Sequence, residues 1–344
     1  MLKNIFVISD TELGQGDIFD DFKDEDLLIK FIKKITAEKG KNTLILNGDT
    51  FDYMKMPYQD KFTHHITEEI SLWKTKRIHE TYPKVFQALK AFLNKTANRI
   101  HFNIGNHDLD LLWPGVQKYL KQILGNPNKI TFGLHYDNKE IHVEHGNQLD
   151  YFYKIDEDKP FINYKDQTLL NAPIGYTAIV KYFIALKEEF PYEEKIYPRH
   201  TAFENFPDFK KKKQSISRNF IFRGLIFNFI MGIGDPIANV PYTNLLRHIL
   251  NHGLEIHDEQ KFLQKRFKNM SKLYPHKQAY IMGHLHITHH ELIPGKDHTQ
   301  IVTDTWREEF RMSKNKKSVL APRTYAQVRY EGDKITTIDL LNFA

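Results

Sequence analysis

An α/β fold is predicted from the way short apolar runs alternate with helical stretches along the chain. The first three runs cover residues 5–8, 43–46 and 100–104, and each is rich in β-branched residues. Apolar residues at helical spacing fill 24–38 and 68–94. Alternation of this kind is typical of a sheet covered by helices.

A hairpin and a late group of strands extend the predicted sheet. Runs 129–135 and 140–144 flank an Asp-Asn turn at residues 137–138. Between residue 150 and residue 278 the chain is instead rich in aromatic and basic residues at helical spacing. We therefore expect residues 1–150 and 275–344 to form one domain, with 151–274 a mostly helical insertion. The late strand patterns cover residues 278–282, 289–293, 300–303, 324–330 and 334–340.

Size and composition limit the kinds of functional site that the chain can form. A chain of 344 residues with 41% hydrophobic content can bury one large core, with room for an accessory unit. It contains no cysteine, which excludes a disulfide framework, a thiolate zinc site and a cysteine nucleophile and favours an intracellular compartment. Any metal ligands must therefore be oxygen and nitrogen atoms.

Location and partners are inferred from the N-terminus and from the charge of the chain. The N-terminus lacks the apolar region of a signal peptide, and no apolar run reaches the roughly 20 residues of a membrane span, so a cytoplasmic protein is expected. The net charge of +6 suits an anionic substrate, although acidic residues nearly balance the basic ones. The basic run Lys210–Lys213 reads as a solvated loop or helix end rather than a nucleic-acid patch. The oligomeric state is left open.

Polar residues follow directly after the apolar runs, where ligands bind in open α/β sheets. These carboxylate, amide and imidazole groups suit divalent ions such as Mn²⁺, Fe²⁺ or Zn²⁺, and their number implies more than one ion. Taken singly, each aspartate could be a turn or cap residue and each histidine an ordinary buried one. Taken together they favour a metal site. The residues are Asp10, Glu12, Asp49, Asp52, Asn106, His107, Asp108, His145, His284 and His286.

In this order the blocks resemble the signature of the calcineurin-like metallophosphoesterases. That signature runs Asp-x-His, Gly-Asp-x-x-Asp, Gly-Asn-His-Asp/Glu, a lone His and Gly-His-x-His, and four of its five blocks match fully. The resemblance covers residues 1–150 and 278–344. It implies a four-layer αββα sandwich, in which two sheets pack together between helices, with the insertion lying over the site.

The resemblance also implies roles for the matching residues. Asp49 would bridge two divalent ions, of which Mn²⁺ is favoured and Fe²⁺, Zn²⁺ and Mg²⁺ are the alternatives. Asp10 and His286 would bind one ion. His107 would protonate the leaving oxygen, oriented by Asp52, while a hydroxide bridging the ions attacks phosphorus in line. The other ion would be bound by Asn106, His145 and His284.

The first block departs from the family pattern, because Glu12 stands where the family usually has histidine. A carboxylate can still bind a hard or borderline ion, and its charge would favour Mn²⁺ or Mg²⁺ over Zn²⁺. If Glu12 does not reach, the first ion is held more weakly. Residues 303–307 resemble the family's late Asn-Thr-Gly-Thr-Trp turn imperfectly, with Trp306 expected in the core.

Several readings of the substrate stay open. A nucleotide or nucleic acid, a phospholipid-like pyrophosphate and a phosphoprotein are all compatible with a phosphoesterase. The apolar run 220–231 could be a cap, a lipid-contacting helix or a dimer face, although a packed internal helix is the favoured answer. Lipid contact would point towards the UDP-2,3-diacylglucosamine hydrolases, which usually have arginine at the position of His107. A binding module that has lost catalysis is the rival reading.

Overall fold

The computed structural model describes residues 2–180, 184–198, 207–216, 218, 259–293, 295, 298–312 and 317–344. The apolar run 220–231, for which the sequence left several roles open, lies outside these residues. The strands are β1 (Leu2–Ile8), β2 (Lys41–Asn47), β3 (Arg99–Asn103), β4 (Ile130–Gly133), β5 (His135–Asp137), β6 (Ile141–Glu144), β7 (Phe161–Tyr164), β8 (Gln167–Leu170), β9 (Ile196–Tyr197), β10 (Ala279–Met282), β11 (His289–Ile293), β12 (His298–Val302), β13 (Phe310–Met312), β14 (Ser318–Leu320), β15 (Thr324–Glu331) and β16 (Lys334–Asn342). The helices are α1 (Glu25–Ala37), α2 (Glu68–Thr81), α3 (Pro83–Asn94), α4 (Pro114–Leu124), α5 (Ile174–Ala178), α6 (Ile184–Glu189) and α7 (Glu259–Leu273), with a further helical segment over 207–216.

The first sheet has six strands in the order β16-β15-β1-β2-β3-β4, and β1 to β4 run parallel. Alternate side chains of each strand point to opposite faces. Phe6, Leu44 and Phe102 lie on the face that packs against α1, α3 and α4. The three apolar runs predicted as the first strands are therefore confirmed as β1, β2 and β3.

The second sheet has five strands in the order β11-β12-β10-β6-β5, and it packs face to face on the first. Ile5 and Val7 of β1 meet Val143 of β6 and Ile281 of β10 in a buried layer between the sheets. The outer face of the second sheet is covered by α7, which packs Phe267 and its neighbours against β10 and β12. The predicted four-layer αββα sandwich is confirmed.

Two predicted elements are divided in the structure. The run 129–135 was expected to be one strand of a hairpin, but β4 pairs with β3 in the first sheet and β5 pairs with β6 in the second. The chain changes sheets at Leu134, which hydrophobic periodicity does not reveal. The predicted helix 68–94 is two helices, because Pro83 supplies no backbone N–H and disfavours helical geometry at Tyr82.

The range predicted as the insertion contains short strands as well as helices. β7 and β8 form a hairpin, and β9 pairs in parallel with β13 after the late turn. By its packing, α7 serves as the outer helix of the second sheet. The division into a catalytic domain and an insertion stays a prediction. Within the described ranges, no helix is long and apolar enough to cross a membrane.

Candidate metal centre

The residues predicted from the strand ends meet at one edge of the sandwich. Asp10 and Asp49 follow β1 and β2 of the first sheet, while His145 and His284 follow β6 and β10 of the second. Backbone hydrogen bonds join the first two loops, since the N–H of Asp10 donates to the carbonyl of Gly48 at 3.2 Å. Both sheets therefore contribute side chains to a single buried cluster.

Asp49 lies between two groups of candidate ligands. Its Oδ2 is 3.1 Å from Nε2 of His145, and its Oδ1 accepts a hydrogen bond of 2.8 Å from the backbone N–H of His107. Two groups of three residues each bring one ligand atom per residue within 4.8 Å of one another. The first group is Asp49, His145 and His284, and the second is Glu12, Asp49 and His107. Asp49 belongs to both groups, as a carboxylate shared by two ions would.

Asp10 and His286 form the other side of the cluster. Nε2 of His286 is 3.2 Å from Oδ1 of Asp10, and Nε2 of His145 approaches the same oxygen to 3.9 Å. The structure therefore brings the predicted ligand Asp10 next to histidines from both of the predicted ligand groups.

Several buried polar atoms at the centre make no hydrogen bond. Among the described residues, these include Oδ1 of Asp10, Oδ1 of Asn106 and Nε2 of His145. A buried acceptor without a partner is costly, and such atoms are uncommon in folded proteins. All three belong to residues that the sequence predicted as metal ligands, so the cluster fits divalent cations.

Two of the histidines are oriented through their second ring nitrogen. Nδ1 of His145 is 2.9 Å from the carbonyl oxygen of Asn47, and Nδ1 of His286 is 2.9 Å from Oε2 of Glu309. A proton on Nδ1 in these contacts leaves Nε2 as the lone-pair donor facing the cluster, which is the usual arrangement of metal-binding histidines. His284 has its Nε2 3.6 Å from Oδ2 of Asp150.

His107 is partly exposed beside the cluster. Its Nδ1 lies 2.9 Å from Oδ1 of Asp52. Burial lowers the pKa of His107, but the carboxylates of Asp49, Asp52 and Glu12 outweigh burial and raise the pKa to about 10. These carboxylates favour the protonated imidazole, which is the state that a general acid requires.

Asp108 has a structural position beside the cluster. Its Oδ1 accepts a hydrogen bond of 2.6 Å from the N–H of Gly105, and its Oδ2 accepts one of 2.7 Å from the N–H of Thr50. These contacts tie the loops after β2 and β3 together. Burial, followed by the nearby charge of Asp49, raises the pKa of Asp108 to about 7.

Backbone strain is concentrated at the cluster. Positive φ angles occur at Asp10, Glu12, Asp49, His284 and His286, between 48° and 66°. Such angles are uncommon for residues other than glycine and cost on the order of 1–3 kcal/mol each. The surrounding packing must supply this energy to hold these five side chains in place.

Glycine is required at position 48 for two reasons. Its φ is +78°, and a Cβ there would lie 2.4 Å from Cγ of His145. We expect Gly48→Ala to lose about 1–2 kcal/mol of stability from the backbone angle and more from the displaced imidazole. Thermal unfolding and Mn²⁺ titration of the metal-free protein would measure both effects.

The matched control is Gly332→Ala. Gly332 also has a positive φ of +62°, but a Cβ there would meet nothing within 4 Å. This variant should lose stability through the backbone angle alone and bind Mn²⁺ normally. Equal losses in the two variants, with metal binding unchanged, would contradict the assigned contact between Gly48 and His145.

Three buried residues of the cluster were missed in the sequence. Lys55 and Arg307 both donate to Glu12, and Glu309 pairs with His286. Arg307 directly follows Trp306 in the late turn that the sequence did single out, which was the available signal. Neither Lys55 nor Glu309 stands in a recognisable motif.

Comparison with known proteins places the chain in a family. The family model described as calcineurin-like phosphoesterase matches residues 3–288. No curated protein sequence matches the chain.

Solved structures similar to this chain include a dimetal phosphatase from Danio rerio, with 9% identity, 99% of both chains covered and a TM-score of 0.40. A predicted phosphoesterase from Streptococcus pneumoniae has 9% identity over 100% of this chain and 91% of its own, with a TM-score of 0.33. A protein of Thermus thermophilus, TT1561, has 8% identity over 100% of both chains, with a TM-score of 0.36. Similarity at this level adds no argument, whereas the family match spans most of the 344 residues. The chain therefore belongs to the calcineurin-like phosphoesterase family.

Proposed function

We propose that the protein hydrolyses a phosphomonoester or phosphodiester with two divalent cations held around Asp49. The observation that carries the proposal is the position of Asp49, which has ligand atoms of His145 and His284 within 4.8 Å in one group and that of Glu12 within 4.8 Å in the other. The third member of the second group is His107, the proposed proton donor. The buried atoms of Asp10, Asn106 and His145 that make no hydrogen bond among the described residues support it, because cations would satisfy them.

The ligands divide into two sets that share Asp49. Asp10 and His286 would hold one ion, and Glu12 is proposed as a further ligand on that side. Oxygen and nitrogen donors with several carboxylates favour Mn²⁺, with Fe²⁺, Zn²⁺ and Mg²⁺ as alternatives. When bound, such ions make water more acidic and neutralise charge on the phosphoryl oxygens. The residues proposed for the other ion are Asn106, His145 and His284.

The proposed reaction transfers the phosphoryl group directly to water. The water oxygen forms a bond to phosphorus in line with the P–O bond that breaks, without a covalent enzyme intermediate. His107 gives its proton to the leaving oxygen. Asp52 keeps the imidazole oriented through Nδ1, and Lys55 in turn holds Asp52, with Nζ 2.9 Å from its Oδ2.

The test combines metal analysis with two substrates. We expect protein purified without chelators to carry two divalent ions per chain and to hydrolyse p-nitrophenyl phosphate or its bis ester. Chelation should abolish hydrolysis, and Mn²⁺ should restore it. The preferred substrate would distinguish a monoesterase from a diesterase.

Two outcomes would count against this function. Hydrolysis that persists after complete removal of metal would show that the proposed centre is not responsible. Full metal occupancy without hydrolysis of either ester, or of a panel of nucleotides, phosphopeptides and lipid pyrophosphates, would favour the binding module.

A further inference from the structure

Glu12 is surrounded by two buried cations. Nη1 of Arg307 donates to Oε1 of Glu12 at 3.0 Å and to Oε2 at 2.8 Å. Nζ of Lys55 donates to Oε2 at 3.0 Å. The side chains of Lys55 and Arg307 are each 2% exposed, and that of Glu12 is fully buried. We call these three residues the Glu12 cluster.

The two oxygens of Glu12 have different surroundings. Among the described residues, Oε2 accepts hydrogen bonds from both cations, whereas Oε1 accepts only from Arg307 and lies 3.7 Å from Nε2 of His286. Nε2 of His286 is in turn 3.2 Å from Oδ1 of Asp10. Nε2 of His286 therefore lies next to one oxygen of Asp10 and one oxygen of Glu12, and Glu12 also has a ligand atom within 4.8 Å of Asp49.

The cluster also balances charge. A glutamate in place of the family's histidine adds a negative charge to a site that already contains Asp10 and Asp49. A buried carboxylate is stable only when it is paired, and Lys55 and Arg307 supply that pairing. Arg307 also donates to Oε2 of Glu309 at 3.1 Å, and this oxygen contacts Nδ1 of His286. Arg307 therefore contacts one proposed ligand, Glu12, directly and another, His286, through Glu309.

We infer that Lys55 and Arg307 are positioning residues that hold Glu12 with its Oε1 directed at the ion shared by Asp10 and His286. In this arrangement Glu12 is a ligand through one oxygen. The two cations offset the charge that the glutamate adds and also pair with Asp52 and Glu309. The inference rests on the proposed two-ion function and names the means by which this chain tolerates its departure from the family pattern.

Restoring the family's histidine at position 12 distinguishes a cooperating Glu12 cluster from a simple exchange of one ligand for another. If Glu12 and its two cations work as one unit, Glu12→His should weaken the first ion although it restores the family's residue. The imidazole would remove the carboxylate that Lys55 and Arg307 share beside a cationic site. Lys55 would keep Asp52, and Arg307 would keep Glu309. Replacing one of these two charged side chains in that variant should therefore recover part of the lost affinity for the first ion.

The experiment is calorimetric titration of metal-free protein with Mn²⁺, which does not depend on activity. We expect wild type to bind two ions. Arg307→Met should weaken one of them about 10–100-fold, the usual effect of losing a partner of a metal ligand. Glu12→Gln removes the charge of the ligand itself and should weaken the same ion at least as much. Both variants should leave the other ion within about twofold. Arg307→Lys keeps the charge and should retain most of the affinity. The coupling between Glu12 and Arg307 is tested by comparing the single variant Glu12→His with the double variant that carries both Glu12→His and Arg307→Met.

Arg323→Met is the matched control. Arg323 is as buried as Arg307 and is paired with Asp24 at 2.8 Å, but it does not contact the centre. This variant should lose stability in thermal unfolding and keep both Mn²⁺ sites. If Arg307→Met does not fold, Arg307→Lys and Glu12→Gln carry the comparison, since both preserve the size of the side chain.

The outcomes separate this inference from the proposed function. Unchanged affinity for both ions in Arg307→Met and Glu12→Gln would overturn the role of the Glu12 cluster and leave the hydrolase intact. Two ions bound with the expected variant effects, but no hydrolysis, would overturn the function alone. A wild type that binds only one ion would overturn both.

Discussion

Asp49→Ala is expected to abolish hydrolysis and to release both metal ions. The carboxylate of Asp49 is within 3.1 Å of His145 and also accepts the backbone N–H of His107, so no other described side chain occupies its shared position. Loss of the bridging ligand removes the charge that holds the two ions together. We expect kcat to fall at least about a thousandfold, equivalent to about 4 kcal/mol in the activation barrier.

The control for Asp49→Ala is Asp110→Asn. Asp110 is also fully buried and accepts a hydrogen bond of 2.5 Å from Ser71, but it lies outside the candidate ligand groups. Its variant should retain two ions by metal analysis and most of the activity. Substantial activity in Asp49→Ala would refute the bridging position, whatever its metal content.

His107→Asn is expected to lower kcat about 10²–10⁴-fold while both metal ions stay bound. His107 reaches Asp52 through Nδ1, and it is not needed to complete the proposed ligand sets. A proton donor matters most when the leaving oxygen is strongly basic. The loss should therefore be large for an alkyl phosphate and much smaller for p-nitrophenyl phosphate.

The comparison of leaving groups distinguishes acid catalysis from a structural role. His79→Asn is a suitable control, because His79 is a partly buried histidine that contacts Tyr119 away from the centre. Equal losses for both substrates in His107→Asn, or release of a metal ion, would exclude His107 as the proton donor.

Local sequence patterns predicted the scaffold and the residues at its strand ends. Strand-like runs are short and apolar, and the polar residues after β1 and β2 had to meet because these strands are parallel neighbours. The residues after β10 reach the same edge because the second sheet packs on the first. The break between α2 and α3 was also readable, since Pro83 cannot continue a helix. Strong apolar periodicity is confined to α3, whereas the buried side of α2 consists of Ser71, Lys74, Thr75 and Ile78.

The missed features depend on contacts between distant parts of the chain. Arg307 and Glu12 are 295 residues apart, and no local pattern links a lysine at position 55 to either. The passage of the chain from the first sheet at β4 to the second sheet at β5 likewise depends on which strand each segment pairs with. Hydrophobic periodicity does not encode that choice. Pairing partners, unlike element types, are decided by tertiary packing.

The attachment of β9 has a consequence for protein engineering. β9 pairs with β13, a strand that begins only a few residues after Arg307. Glu194, just before β9, contacts Lys55 at 2.9 Å. Segment exchange between relatives is a common way to alter substrate preference. A chimera that replaces all of 151–274 would also discard these anchors, so a transplant should keep residues 193–197 with the recipient scaffold.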